Sequence, residues 1–448
     1  MNLKEIAQLA GKAALSSVSP QRLIKENLRR EGRYLFIGGD RIDLDKFERI
    51  NLISFGKAGK PLAENVLALI EDKLQAGVVT GTEQYEIKDK LSFYPAAHPL
   101  PDAWSLEAGK KAYELALSSS ERDLLLVLIS GGGSAHLCLP DEGLTLEDKR
   151  AITELLLKAG ADIKELNTVR KHLSRIKGGR LAKAAWPAKV VNLVVSDVIG
   201  NDLENIASGP TWWDSSTYAQ ALAVLERTGI MGICPESVKK ILTEGTQGWR
   251  EETVKKGDKV LKNVNSFIIG DNLKALYAAK EEVRKFGLET IILTSTDSGE
   301  AREAARKYVQ QLLEFGRKVQ QERRAFCLLA GGELTVTVRG SGKGGRNTEF
   351  VLACLVEISR QWENFKGCDW LVMSLATDGR DGPTDAAGAW IAPESLEKIR
   401  AKNILAEDFL KNNDSYRFFQ EIGGLLFTGP TGTNVMDLRL FLLAPKGT

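Results

Sequence analysis

Short apolar runs alternate with longer amphipathic stretches along this 448-residue chain, and that alternation most constrains its fold. The runs Tyr34–Ile37, Asn51–Phe55, Gly77–Thr80, Leu124–Ile129, Val190–Val195, Ser266–Ile269, Thr290–Thr294, Ala325–Ala330, Trp370–Ala376 and Leu438–Leu443 read as strands. Most are Leu-rich or β-branched and apolar on both faces, which suits buried parallel strands. Helical patterns fall between them at Pro61–Lys73, Trp104–Leu117, Leu146–Lys158, Asn272–Phe286 and Gly299–Gln321. Repeated strand-then-helix units predict an α/β, two-domain protein. Its N-terminal domain is expected to hold a Rossmann-like parallel sheet with helices on both faces, and its C-terminal α/β domain to be smaller. The stretch 229–262 mixes glycines with a charged run from Arg250 to Lys259, a linker-like composition. It places the boundary near 240, giving domains 1–240 and 241–448, with the final strand open to either one. Leu334–Val338 alternates and follows closely on a strand, so a hairpin is expected there.

Composition narrows the function classes. A hydrophobic fraction of 43% belongs to a folded globular chain, and a net charge of +2 supplies no global attraction for nucleic acid or anionic lipid. No apolar segment reaches membrane-spanning length, and the charged start has no signal-peptide core, so no membrane partner is expected. The five cysteines, Cys138, Cys234, Cys327, Cys354 and Cys368, form no C-x-x-C pair, which points to a reducing cytoplasm. His98, His136 and His172 have no zinc-ligand spacing with them.

The 42 glycines gather where strands stop. Asn51–Phe55 runs into Gly56-Lys57-Ala58-Gly59-Lys60, and Leu124–Ile129 into Ser130-Gly131-Gly132-Gly133-Ser134. Val190–Val195 ends at Ser196-Asp197, followed by loops at 200–202 and 208–211. In the second half the corresponding loops hold Gly331-Gly332-Glu333, Gly340 to Asn347, Asp378 to Gly382 and 428–434. Ligands of open α/β sheets bind at the carboxyl ends of strands, where glycine lets N–H groups approach an anion. One such loop is only a turn. Together, carrying Lys, Arg and Asp, they favour a phosphate or carboxylate site. The candidate binding residues are Gly56, Ser130, Gly131, Gly132, Gly133, Ser134, His98, Glu333, Gly344, Gly345, Asn347 and Asp378.

Standard signatures test this reading. No G-x-x-x-x-G-K-[ST] is present. Gly340, Gly342 and Gly345 match G-x-G-x-x-G, a dinucleotide fingerprint only if a buried parallel strand precedes it. A nicotinamide-dependent hydroxypyruvate reductase, with His98 as proton donor, is the alternative that this match keeps open, and a non-catalytic anion-binding protein is another. Asp197 stands directly after a strand and is the strongest candidate for holding Mg²⁺ or taking a proton from a hydroxyl. Asp381 and Asp385 look like turn formers. The basic run Arg170, Lys171, His172, Arg175, Lys177 and Arg180 lacks interleaved aromatics, so it reads as a solvated or substrate-facing helix rather than a nucleic-acid surface.

FGKAG at 55–59, HPLPD at 98–102, SGGGSA at 130–135, NTVRKHLSRIKGGRLA at 167–182 and VVSDVIGNDLENIASGPT at 194–211 resemble the glycerate 2-kinase family. GGELTV at 331–336, GKGGRNTEF at 342–350, TDGRDGPTDAAGA at 377–389 and TGPTGTNVMDL at 428–438 are similar to its C-terminal MOFRL segment. The resemblance implies ATP-dependent phosphorylation of D-glycerate at its 2-hydroxyl, with glycerate and ATP as small-molecule substrates. It also implies two α/β domains with the active site in the cleft between them. The family's catalytic Lys and Arg fall on Lys57 and Arg346. Asp197 then holds Mg²⁺, or orients or deprotonates the C2 hydroxyl. A monomer or homodimer is expected.

Overall fold

A computed structural model describes residues 2–82 and 90–447. The chain divides into two compact units, Leu23–Ile269 and a second built from Met1–Arg22 with Gly270–Thr448.

In the unit Leu23–Ile269, a small antiparallel sheet forms first, from β1 (Leu28–Glu31), β2 (Tyr34–Ile37) and β3 (Asp40–Asp43). The main sheet holds β4 (Arg49–Phe55), β5 (Leu74–Gly81), β6 (Leu91–Pro95), β7 (Asp123–Ile129), β8 (Lys189–Val195) and β9 (Val264–Gly270) in the order β6-β5-β4-β7-β8-β9. Pairing is parallel from β6 through β8. Numbered within the sheet this is 3-2-1-4-5-6, the Rossmann order, so the chain reverses its winding between β4 and β7. Every residue of β7 is buried, as a strand covered by helices on both sides must be. Each of its Leu and Val side chains taken from water contributes about 1.5–3 kcal/mol. Helices Leu146–Lys158, Ile163–His172, Tyr218–Arg227 and Glu236–Thr246 share a second core around Ile152, Val169, Tyr218 and Ile241.

The unit of Met1–Arg22 with Gly270–Thr448 carries a mixed sheet of β10 (Glu289–Asp297), β11 (Phe326–Gly332), β12 (Cys368–Ala376), β13 (Gly388–Ile391), β14 (Leu425–Leu426) and β15 (Asp437–Pro445). The order is β10-β11-β15-β12-β13-β14, and only β10 with β11 is parallel. The last strand therefore belongs to this sheet, between β11 and β12, and runs antiparallel to both rather than parallel as its apolar faces suggested. Helix Arg346–Arg360 is buried along nearly its whole length against this core.

Three sequence expectations change. The division falls at residue 269 rather than 240, because 229–262 is not a linker: helix Glu236–Thr246 packs in the second core, and the Val254 N–H donates to Gly178 O at 2.9 Å. The first 22 residues join the C-terminal half, since Ile6, Ala7, Ala10 and Ala14 make a buried stripe on helix Leu3–Ser17 that packs against helix Asn272–Arg284. Leu334–Val338 forms no hairpin. Both edges of β11 are already filled by β10 and β15, so this segment lies beside residues 299–300, with the Thr335 N–H donating to Gly299 O at 2.8 Å. All five cysteines are buried and unpaired, and no described helix is long and apolar enough to cross a membrane.

Candidate active site

The winding of the first sheet reverses where its two glycine loops emerge. Gly56 and Lys57 follow β4, and Ser130–Ser134 follows β7, so both stand at the switch point where open α/β sheets take ligands. They are stitched together. The Lys57 N–H donates to Gly131 O at 2.8 Å, and the Ala58 N–H to the Ser130 hydroxyl at 3.0 Å. Gly56 has a φ of +101°, and a Cβ there would stand 2.3 Å from Ser130 O, so no other residue fits. Gly132 has a φ of +78°, and its Cβ would meet the His98 ring at 2.9 Å and Lys57 Cγ at 3.4 Å. The loop thus gathers Lys57, His98 and Gly132 into one place. Among the described residues the N–H groups of Gly131 and Gly132 donate to no acceptor, which leaves two donors for an anion.

The floor beneath this loop is neutral. His136 is fully buried, and its Nδ1 lies 3.3 Å from the Thr80 hydroxyl. Burial, then the charges of His98 and Lys57, push its imidazole down to about 4 against the opposing pull of Asp102. Asp197 follows β8, the next strand over, and is half-buried. No group of three or more metal-ligating side chains occurs among the described residues. Mg²⁺ does not require one, since it is held by one or two carboxylates with substrate phosphates and water. One carboxylate at a strand end beside a loop with open N–H donors fits a nucleotide-borne Mg²⁺.

The other unit carries the second group of candidates. Arg346 opens helix Arg346–Arg360, and its Nε and Nη2 donate to the two carboxylate oxygens of Asp437 at 2.6 and 3.0 Å. Its Nη1 lies 2.6 Å from Glu333, which is half-exposed beyond the end of β11. Burial opposes the guanidinium charge, but Asp437, then Glu333 and Asp381, hold its pKa above the usual arginine range. Glu333 and Arg346 are therefore together.

Asn347 lies in the same turn but is committed inward. Its Nδ2 donates to Asp381 at 3.2 Å, and its Oδ1 accepts from the Ser374 hydroxyl at 2.5 Å. Asp381 does open a turn, its carbonyl accepting from the Thr384 N–H at 3.3 Å, but its side chain has a second role. It is buried and accepts from the N–H groups of Asn347 and Thr348 at 2.8 Å each, so it caps the helix from a distant loop. Gly344 and Gly345 lie against Ser415 and Asp381. Asp378 accepts from the Arg380 N–H at 3.0 Å, the bond of an Asx turn. Asp385 accepts from the Tyr416 hydroxyl at 2.6 Å.

The dinucleotide fingerprint lacks its context. Gly340 and Gly342 pack on Asn412 and Asp414, and no strand runs through 334–338 ahead of them. The basic run is also revised. Lys171, His172 and Lys177 are buried, not solvated. Lys171 pairs with Asp214 at 2.6 Å and Glu204 at 3.0 Å, and His172 Nε2 lies 2.9 Å from Glu252. Those acids come from a segment far along the chain, so the charges are neutralised by partners that helical spacing cannot reveal. Asp437 escaped the sequence reading altogether, and Lys177 entered it only as one member of the basic run. Asp437 holds Arg346, and its signal was an acid opening a strand that is apolar except for Arg439. Lys177 donates to the glycine loop, and its signal was the pair Gly178-Gly179 that follows it.

Residues 6–243 match the model of a domain of unknown function (DUF4147), and 326–437 match the MOFRL family. The chain is 37% identical to glycerate 2-kinase of Pyrococcus horikoshii, covering 100% of this chain and 98% of that one. It is 39% identical to D-glycerate 2-kinase of Thermotoga maritima over 99% of each. The crystal structure of the glycerate kinase from Thermotoga maritima superposes with a TM-score of 0.82 at 38% identity, covering 99% of both chains. Glycine loops at a Rossmann switch point and a carboxylate-held arginine on a MOFRL helix thus sit within likeness that runs end to end, and the chain belongs to the glycerate 2-kinase family.

Proposed function

We propose that this protein transfers the γ-phosphoryl group of ATP to the 2-hydroxyl of D-glycerate, giving 2-phosphoglycerate and ADP. The observation that carries the reading is the pair of stitched loops at the switch point, with Lys57 beside two open N–H donors, in a chain whose full-length relatives are named for this activity. Phosphoryl transfer asks a protein mainly for positioning and charge. The glycerate C2 oxygen attacks the γ-phosphorus, the bond from that phosphorus to the bridging β–γ oxygen breaks, and the hydroxyl proton leaves to a base or to solvent. Lys57 neutralises charge on the transferring group. Asp437 and Glu333 hold the Arg346 guanidinium in a fixed plane. The loop Ser130–Ser134 offers N–H donors to anionic oxygens, and neutral His136 beneath it adds no competing charge. Asp197 would hold Mg²⁺, which supplies charge neutralisation at the β- and γ-phosphates.

The test is ³¹P NMR of the product from purified protein, D-glycerate, ATP and Mg²⁺. A 2-phosphoglycerate signal is expected. A 3-phosphoglycerate signal overturns the regiochemistry, and no phosphorylated product from either glycerate enantiomer overturns the kinase reading.

A further inference from the structure

Lys177 is fully buried, and burying an ammonium is costly unless its protons are used. Its Nζ donates to Ser134 O and to Ser134 Oγ, both at 3.0 Å, and to Ala207 O at 3.4 Å. It therefore bridges the end of the glycine loop and the turn 206–209. That turn has an unusual backbone: Ala207, Ser208 and Gly209 have φ values of +52°, +63° and +58°. Two of the three are not glycine, so surrounding structure must impose the conformation.

Side chains continue the bridge. The Ser208 hydroxyl donates to Asn167 Oδ1 at 3.1 Å, so the 2.9 Å contact between Ser134 and Ser208 takes its hydrogen from Ser134. Asn167 Nδ2 donates to Asn205 Oδ1 at 3.1 Å, and Asn205 Nδ2 to Asp202 at 2.6 Å. Every hydrogen in this chain points the same way, from the buried Lys177 amine to a carboxylate at Asp202. Ser134 consequently has its hydroxyl hydrogen committed to Ser208. What the loop can offer a ligand is backbone N–H groups, held in place from below.

We infer that Lys177 is a positioning residue that holds the Ser130–Ser134 loop in its anion-binding shape by clamping it to the 206–209 turn. The inference rests on the kinase reading for its substrates. The anion is either the phosphate chain of the nucleotide or the carboxylate of glycerate, and the kinetics tell them apart. Burial, then the like charges of Lys149 and Arg170, pulls the Lys177 pKa well below the usual lysine range against a small opposing influence of Cys138. A lysine kept in such a place is tied to those three acceptors.

Lys177→Met, Lys177→Arg and the control Lys149→Met are compared by steady-state kinetics with ATP·Mg and D-glycerate varied in turn. Lys149 is the suitable control because it too is buried, but its Nζ donates to Leu173 O at 3.1 Å, away from the loop. In Lys177→Met, KM for one substrate is expected to rise about tenfold or more, with kcat changed less than KM. That substrate is the one whose anion the loop holds. Lys177→Arg is expected to recover part of the rise, and Lys149→Met to leave both KM values in place. Unchanged KM values in folded Lys177→Met, a fall in kcat alone, or an equal rise in Lys149→Met overturns the clamp.

If Lys177→Met does not fold, Ser208→Ala breaks the same chain one step on and is read by the same criteria. Should the wild-type protein not phosphorylate glycerate, the kinase reading fails separately. Calorimetric titration with inorganic pyrophosphate then tests the clamp: binding lost in Lys177→Met supports it, and equal binding, or none to the wild type, overturns it.

Discussion

Arg346 gives two nitrogens to a fully buried carboxylate and a third to a half-exposed one, so deleting Asp437 and deleting Glu333 are different operations. Asp437→Ala leaves a largely buried cation without its main partner and is expected to cost about 3 kcal/mol by denaturant unfolding. Glu333→Gln removes a solvent-screened pair and is expected to cost about 1 kcal/mol or less. Equal losses would show that the two carboxylates share the hold on Arg346. Lys57→Ala and Arg346→Ala are each expected to cut kcat by about 10²-fold or more if they stabilise transition-state charge. A folded variant of either with near-normal turnover removes that residue from the mechanism. His136 predicts a pH effect of definite sign. Its pKa of about 4 lies below the unfolded value near 6.5, so between them the unfolded chain binds more protons and stability falls as the pH falls. The wild type should lose up to about 3 kcal/mol more than His136→Gln between pH 7 and pH 4, measured by urea unfolding. A parallel decline in both proteins would assign the acid sensitivity elsewhere. At this scale the sequence was legible where backbone made the site, because glycines after strands mark close approach. It was silent on Asp437 and gave Lys177 only as part of a basic run, because the partners of both lie elsewhere in the chain and are chosen by burial.

Among the elements, those with strong periodicity were legible almost to the residue. Helix Leu146–Lys158 is as expected, and Trp104–Leu117 gains only Ala103 at its start. Sheet order and direction were not, because an apolar run buried on both faces reads alike whether its neighbours are parallel or antiparallel. β15 shows this: it is apolar after its first residue except for Arg439, yet antiparallel on both sides. Asp381 illustrates a cap that local sequence hides. Helix Arg346–Arg360 begins after Gly345, which has no side chain to cap it, and a carboxylate from beyond β12 satisfies its first turn. Asp381→Ala is therefore expected to destabilise the protein by about 2 kcal/mol or more, since buried donors are left without an acceptor. Asp385→Ala, which loses a half-buried contact with Tyr416, should cost less, about 1 kcal/mol or below, with both variants read by thermal melts. Similar losses would leave Asp381 with its turn alone and no role as a cap.

For the whole molecule, the α/β class and the presence of two units were legible from strand–helix alternation, while the membership of the first 22 residues was not. Nothing in helix Leu3–Ser17 says which of two cores its apolar stripe will cover. Ala10→Asp puts a charge in the middle of that buried stripe and is expected to cost about 3 kcal/mol or more. Protease nicking should then appear first within Gly270–Thr448, and nicking confined to 23–269 would contradict the assignment of this helix. The same arrangement imposes an order on biosynthesis. The Rossmann-order unit is one continuous stretch, so it is complete once residue 269 has left the ribosome. The other unit needs both the first helix and β15, which begins at Asp437, well after β11 and β12 have been made. Until then β11 and β12 each lack the neighbour between them and present open edges, the kind that pair with strangers. A ribosome stalled between β12 and β15 therefore holds a finished half with its glycine loops and an unfinished half in which Arg346 lacks Asp437. Emergence of β15 completes the sheet and the arginine site together.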